Sequence, residues 1–148
     1  MFAGKGGAGV GRMPSPHVKE MPKGCVECHT AKFEDEKEQV VKEGGHTFKA
    51  NMKSCLKCHG DLYMRVPKLK SQVEKLLKQV ERMLESANDK ESKAYKDAKL
   101  NYDLVKGDKG YGFHNFGYAK ALLEYSLSLQ EQLSEAQSQK PVSSRAAD

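Results

Sequence analysis

The sequence predicts a mostly α-helical protein whose N-terminal half binds cofactors and whose C-terminal half forms long helices. Three observations lead to this fold class. Apolar residues recur at steps of three and four through residues 67–139, which is the period of amphipathic helices. Two copies of the pattern Cys-x-x-Cys-His lie within residues 25–59. No stretch alternates apolar and polar residues as a half-buried strand would.

We predict one domain built from four successive segments. They are an extended Gly/Pro-rich arm (1–24), a cofactor-binding segment (25–62), a long-helix segment (63–140) and a flexible tail (141–148). The arm has little helix or strand potential because Gly and Pro interrupt both. Within the cofactor-binding segment we predict one short helix from Phe33 to Glu43, ended by Gly44-Gly45.

The long-helix segment contains three amphipathic stripes, and each predicts one helix. The first helix begins at Pro67, a residue favoured in the first helical turn, and runs to about Asn88. The second runs from Glu91 to Lys106, and the third from near Phe113 to about Gln139. The stripe residues that we expect in the core are Leu69, Val73, Leu76, Leu77, Val80, Met83, Leu84 and Ala87, then Ala94, Tyr95, Ala98, Tyr102 and Val105, then Tyr118, Leu122, Tyr125, Leu129 and Leu133.

The motifs Cys25–His29 and Cys55–His59 use all four cysteines of the chain. This is the pattern of covalent haem c attachment. Two thiols form thioethers with the haem vinyl groups, and the adjacent His binds the iron as proximal ligand. We therefore predict two covalently bound haem c groups. Their thioether ligands are Cys25, Cys28, Cys55 and Cys58, and their proximal iron ligands are His29 and His59.

Other uses of paired cysteines explain the pattern less well. The pairs of a four-thiolate zinc ribbon usually lie about 15–20 residues apart. Here residues 29–54 separate the pairs, and zinc gives no reason for a His after each one. Structural disulfides leave the histidines equally unexplained. A thioredoxin-like redox motif requires a βαβ context, which the sequence does not show.

The composition agrees with bound porphyrins. A hydrophobic fraction of 38% and a mean hydropathy of -0.72 are low for 148 residues, so we expect two porphyrins to supply much of the apolar core. The lysines are dispersed rather than clustered with aromatics, which predicts no nucleic-acid partner. No window reaches the roughly 18 apolar residues of a membrane span.

The cellular location is predicted from the chemistry of haem attachment, because the sequence shows no targeting signal. The chain shows no charged n-region followed by an apolar h-region, so we identify no signal peptide. Covalent attachment of haem c nevertheless requires export in bacteria. We therefore expect a periplasmic or other extracytoplasmic protein whose leader is removed.

A low-spin electron-transfer haem needs a second axial ligand, either His or Met. Three histidines remain for this role. His114 stands at a predicted helix start after a glycine-rich loop, which holds its side chain firmly. His17 lies on the arm, which would cap a haem, and His46 follows two glycines. Met52 and Met64 lie near the second motif, but Met more often fills a core. We therefore favour two histidines on each iron.

Several of these features follow one another along residues 14–136. They are His17, the first motif, Gly45-His46-Thr47, the second motif, a helical hairpin, and the run Asp108-x-Gly110-x-Gly112-Phe113-His114-Asn115. This order resembles the C-terminal part of the multihaem family that contains pentahaem cytochrome c nitrite reductases and octahaem hydroxylamine oxidoreductases. The resemblance implies a mostly α multihaem cytochrome c fold, with a hairpin and a long terminal helix, and a place in nitrogen metabolism.

The resemblance also implies a crossed ligation of the two irons. His17 would be the distal ligand of the haem of the second motif, and His114 of the haem of the first. In the family, the His between these motifs binds a third haem that is attached further upstream, and this chain has no third motif. His46 is therefore expected to be free, to replace another histidine, or to bind a haem on another chain.

The departures from the family decide the expected function. The nitrite reductases bind substrate at a haem whose proximal ligand is Lys, but this chain has no Cys-x-x-Cys-Lys. The segment that carries the catalytic haem of the hydroxylamine oxidoreductases is also missing. Two irons with four His ligands have no vacant position for a substrate.

We therefore expect an electron-transfer protein that is not itself an enzyme. Its partner would be a redox protein, such as a larger multihaem oxidoreductase in which it serves as a relay subunit, or further copies of the chain. The alternative is a haem enzyme in which one iron stays five-coordinate and acts on peroxide or nitrogen oxides. A haem-dependent sensor has no effector domain in its favour.

Overall fold

The computed structural model describes residues 1–30, 33–34, 40–41, 48–50, 55–56 and 58–135. Its elements are α1 (His17–Glu20), α2 (Cys25–His29), β1 (Phe33–Glu34), β2 (Val40–Val41), α3 (Leu62–Ser86), α4 (Lys93–Gly107), α5 (Phe116–Ser128) and α6 (Gln130–Glu135). The described chain is mostly helical, as the sequence predicts. No helix among these is both long and apolar enough to cross a membrane.

The four C-terminal helices form one bundle. Helices α3, α4 and α5 contact one another pairwise, and α6 packs on α4 and α5. The buried apolar side chains of this core are Val73, Leu77, Val80, Met83, Leu84, Ala87, Ala94, Ala98, Tyr102, Val105, Tyr118, Ala119, Leu122, Leu123, Leu129 and Leu133. The predicted stripes are therefore confirmed. All their residues except the half-buried Leu69 lie in this core or against it.

The bundle forms its core from protein side chains alone. Burying a large apolar side chain contributes about 1.5–3 kcal/mol, and the amphipathic faces of three helices supply many of them. In the described residues before Leu62, by contrast, the buried ones are Gly4 and Ser15, which carry little or no apolar side chain. The expectation that porphyrins supply much of the apolar core stays a prediction.

Helix α3 begins at Leu62, five residues before the start that the sequence predicts. Pro67 consequently lies inside the helix, and the prediction that it opens the helix is wrong. A proline there cannot donate to the carbonyl oxygen of Tyr63, four residues earlier. Tyr63 is 61% exposed, so water can reach this first turn of the helix.

Helix α4 agrees with its predicted bounds to within two residues. Ser92 caps it, since its hydroxyl oxygen accepts a hydrogen bond from the backbone N–H of Tyr95 at 3.2 Å. The third predicted helix is divided, because α5 ends at Ser128 and α6 begins at Gln130. The prediction of one helix to Gln139 is thus wrong over the described residues, and 136–139 lie outside them.

Serine hydroxyls explain why the third helix is interrupted. Ser126 donates to the carbonyl of Leu122 at 2.8 Å, and Ser128 donates to the carbonyl of Tyr125 at 2.7 Å. Such bonds compete with the helical pattern and bend helices. The apolar period continues through Leu129 into α6, so the stripe is preserved although the helix is not.

The segment that the sequence predicts as a helix from Phe33 to Glu43 contains a strand pair instead. Strands β1 and β2 are antiparallel, with Phe33 opposite Val41 and Glu34 opposite Val40. The helix prediction is therefore wrong at these residues. Aromatic and β-branched residues favour strands, and an isolated helix shorter than about 12 residues is marginal.

The predicted extended arm (1–24) differs from the structure in two ways: it contains the one-turn helix α1, and residues 1–15, which have no helix or strand, fold onto the bundle rather than extending from it. The segment turns back on itself, since Met13 N–H donates to the carbonyl of Gly4 and Ser15 N–H to that of Phe2, both at 3.0 Å. The buried side chain of Asn101 fastens it to α4. Asn101 Oδ1 accepts from Ala8 N–H at 2.7 Å, and Asn101 Nδ2 donates to the Ala8 carbonyl at 3.1 Å.

Candidate haem sites

The first Cys-x-x-Cys-His motif forms the whole of α2. Residues three and four apart lie on the same side of a helix, so Cys28 and His29 share a face with Cys25. Gly24 precedes the helix with a φ of 59°, a conformation that glycine adopts without steric cost. The local fold therefore presents two thiols and one imidazole together.

The second motif has the hydrogen bonds of a similar turn. The carbonyl of Cys55 accepts from the N–H of Cys58 at 3.1 Å and from the N–H of His59 at 2.9 Å. These are the i to i+3 and i to i+4 bonds of a helical turn. Both motifs thus place their cysteines and histidine in one turn, while Lys57 lies outside the described residues.

Four of the five histidines lie in two pairs. The ring centroids of His17 and His59 are 5.9 Å apart, with planes at 83°, and those of His29 and His114 are 6.0 Å apart, with planes at 40°. A metal–imidazole bond of about 2.0 Å on each side, plus roughly 1 Å from each nitrogen to its ring centroid, separates two opposed rings by about 6 Å. Both pairs have this separation, and they are the pairs that crossed ligation requires.

The histidine pair of the first motif has its Nδ1 atoms occupied. His29 Nδ1 lies 2.6 Å from the carbonyl oxygen of Phe48, and His114 Nδ1 lies 2.8 Å from Asp108 Oδ1. An Nδ1–H that donates to an oxygen orients the ring and leaves Nε2 for a metal. The bond to Asp108 raises the pKa of His114, against its burial and the Met1 amino group, which lower it.

Phe48 holds His29 in a second way that the sequence did not predict. The two rings stack with centroids 4.5 Å apart and planes at 13°. Phe48 has a φ of 51°, which is rare for a residue with a side chain, and this backbone conformation accompanies the carbonyl contact. The only sequence signal was its place two residues after His46.

A glycine-rich loop positions His114. A Cβ on Gly110 would lie 2.8 Å from Asp108 Oδ2 and 2.9 Å from His114 Nδ1, so a side chain there would disturb the Asp–His contact. Gly112 has a φ of 88°, and its Cβ would lie 2.9 Å from a methyl group of Val73. The two glycines of the Asp108–Asn115 run therefore let the loop fold tightly against α3.

Asn115 connects this loop to the N-terminal segment. Its Oδ1 caps α5 by accepting from Tyr118 N–H at 3.1 Å, and its Nδ2 donates to the carbonyl of Met13 at 2.6 Å. Met13 lies four residues before His17. One side chain therefore links the segments that carry His114 and His17, the two histidines predicted as distal ligands.

The cysteines of the two motifs lie close enough to influence one another. Burial raises the pKa of Cys28, with Glu27 and Cys25 adding to the effect, and burial followed by the charge of Cys28 raises the pKa of Cys55. All four thiols are free of disulfides. Over the described residues, no three side chains of His, Cys, Asp or Glu converge to hold a metal ion.

Most of the exposed large apolar side chains in the described residues lie close along the chain to a motif or to a paired histidine, or stack on one. They are Val18, Val26, Phe48, Leu56, Tyr63, Met64, Tyr111 and Phe113. Exposed apolar groups concentrated in one part of a protein mark a surface that another apolar body covers. Porphyrins would be such bodies, so the residues present fit the two haems that the motifs predict.

Two candidate ligands cannot be placed. His46 and Met52 lie outside the described residues, and Met64, near the start of α3, is 69% exposed.

Comparisons with protein-family models, curated proteins and solved structures gave no significant match. The family resemblance therefore stays a prediction from the motifs.

Proposed function

We propose that the protein is a dihaem c-type cytochrome that transfers electrons, with each iron held between two histidines. The observation that carries the proposal is the double pairing of His29 with His114 and of His17 with His59, each near 6 Å. Each pair joins a motif histidine to one from a distant part of the chain. A shared metal between the rings explains the pairing of both.

The chain's own residues have distinct roles in this proposal. The cysteines of each motif anchor one haem, and the motif histidine binds its iron from one side. His17 and His114 bind from the opposite sides, so that neither iron has a position for substrate. Haem supplies a reversible one-electron couple, and two His ligands give a lower potential than a His/Met pair does.

The partner and the setting belong to the same proposal. The family resemblance supports a relay role beside a larger multihaem oxidoreductase of nitrogen metabolism, or assembly with copies of the chain. Covalent haem c attachment supports an extracytoplasmic location. An enzyme with a five-coordinate haem would require a motif histidine without an opposing ring, whereas both motif histidines have one near 6 Å.

The proposal is tested on protein produced with a haem c attachment system. We expect the ferric EPR spectrum to show two low-spin haems. His17→Ala and His114→Ala should each convert one haem to high spin, and not the same one. The matched control is His46→Ala, which should leave both haems of the isolated protein low-spin. A high-spin haem in the unaltered protein, or loss of the same signal in both variants, would refute the proposal.

A further inference from the structure

Within the part of the chain that the structure describes, the acceptors near the Nδ1 atoms differ between the two histidine pairs. In the first pair, His114 Nδ1 lies 2.8 Å from a carboxylate oxygen of Asp108, and His29 Nδ1 lies 2.6 Å from a backbone carbonyl oxygen. In the second pair, His17 Nδ1 lies 3.5 Å from the hydroxyl oxygen of Ser15. A carboxylate is a charged acceptor, and its hydrogen bonds are roughly twice as strong as those between neutral groups.

Asp108 is also poorly screened from its surroundings. Its side chain is only 12% exposed, and Oδ2 is buried with no hydrogen-bond partner among the described residues. The tight approach of Gly110 to both Asp108 and His114 keeps the carboxylate against the ring. A charge in a site of low dielectric acts more strongly on its neighbours than one in water.

A carboxylate behind a metal-bound histidine has a definite effect on the metal. By accepting the Nδ1 proton it makes the imidazole a more basic ligand, and its negative charge favours the more positive oxidation state of the iron. Both effects stabilise ferric over ferrous iron and lower the reduction potential. A hydroxyl at the limit of hydrogen-bond distance has neither effect to the same degree.

We propose that Asp108 is a positioning residue that makes the haem of the first motif the lower-potential member of the pair. An electron on the protein then resides preferentially on the haem of the second motif, which His17 and His59 bind. This inference rests on the proposed function, because it requires two haems with these axial ligands. It predicts which of the two haems holds the electron and identifies Asp108 as the side chain responsible.

The test is a redox titration of both haems followed by EPR. The signal that His114→Ala converts to high spin identifies the haem of the first motif. In the unaltered protein this signal should be reduced at the lower potential of the two. Asp108→Asn should raise the reduction potential of the first-motif haem and leave that of the second-motif haem unchanged. The difference between the two potentials should therefore become smaller.

Two matched variants separate this role from a general effect of charge or folding. Asp103→Asn removes one exposed carboxylate from α4, where Asp103 pairs with Lys99. It should leave the difference between the two haem potentials unchanged. Asp108→Glu keeps the charge and should keep the first-motif haem the lower of the two.

Three results would overturn the inference while the unaltered protein still shows two low-spin haems. The first is a reduction potential of the first-motif haem that equals or exceeds that of the second-motif haem. The second is an unchanged or lowered potential of the first-motif haem in Asp108→Asn. The third is a shift of that potential in Asp103→Asn as large as the one in Asp108→Asn. If Asp108→Asn does not fold, the order of the potentials in the unaltered protein still decides. Fewer than two low-spin haems in the unaltered protein would instead refute the proposed function.

Discussion

Single glycines decide how closely the N-terminal segment approaches the helices. Gly9 has a φ of 70°, and a Cβ built on it would lie 2.0 Å from the ring of Tyr125. A Cβ on Gly7 would lie 2.2 Å from Leu122. Gly11, two residues further on, has open space around its Cα. The segment therefore depends on glycine at some positions and not at others.

We expect Gly9→Ala to lower the free energy of unfolding by about 1–3 kcal/mol, because a side chain there overlaps Tyr125 and strains the backbone. Gly11→Ala is the matched control and should change it by no more than about 0.5 kcal/mol. Urea unfolding of both variants measures the difference. Equal effects of the two substitutions would contradict the packing of this segment on α5.

At the candidate sites, individual residues act through their hydrogen bonds to the paired histidines. Asp108, Phe48 and Ser15 each face the Nδ1 of a paired histidine. None of them has a spacing to its histidine that a general sequence rule would select. Asn101 is a further example, because its hydrogen-bond partner Ala8 lies 93 positions away along the chain.

At the scale of elements, α3 links the second motif to the bundle. It begins three residues after His59 and continues to Ser86, and its buried face contributes to the core. Pro67 interrupts its hydrogen bonds near the start. A helix that began at Pro67 would leave residues 62–66 without this continuous connection to the core.

Pro67→Ala distinguishes these two helix starts. In the observed helix, the substitution restores an N–H that can donate to the carbonyl of Tyr63 and removes a steric clash, so we expect the free energy of unfolding to rise by about 1–3 kcal/mol. The control Pro22→Ala, in the turn before α2, should lower it by up to about 1 kcal/mol through the unfolded state. Hydrogen exchange at residue 67 reports the new bond. No gain in stability would favour a helix that starts at Pro67.

At the scale of the whole molecule, the two halves differ in what stabilises them. The C-terminal bundle has an apolar core of its own, whereas residues 17–30, 48–50, 55–56 and 58–59 include no buried side chain. In the proposed protein, haems provide the apolar contacts of that half. The N-terminal segment 1–15 belongs to the bundle by its contacts with Asn101 and Tyr118.

Removal of the haems should therefore affect the halves unequally. In a variant with all four cysteines changed to Ser, we expect trypsin to cleave after Lys19 and Lys23 faster than in the haem-bound protein. Cleavage after Lys99 in α4 should stay slow, because the bundle remains folded. Mass spectrometry of timed digests measures both rates. Similar acceleration at all three sites would show that the bundle also needs the haems.

Sequence reasoning reached the features that neighbouring residues encode. The three core stripes and the ligands inside each Cys-x-x-Cys-His motif depend on spacings within a few turns of chain. The ends of the helices were predicted less accurately from the sequence. Helix α3 begins five residues before Pro67 although proline disfavours a helix interior. The break before α6 lies beside Ser126 and Ser128, whose hydroxyls bond to backbone carbonyls.

The pairing of the histidines belongs to the other class of feature. The crossed arrangement followed from the resemblance alone, since His17 and His59, like His29 and His114, lie far apart along the chain. Their distances depend on how the N-terminal segment docks and how the Asp108–Asn115 loop folds against α3. Periodicity records only which residues are neighbours on one helix. Contacts between distant segments, and the loop contact of Asp108 with His114, arise from the packing of the chain, and they make the surroundings of the two Cys-x-x-Cys-His motifs unequal.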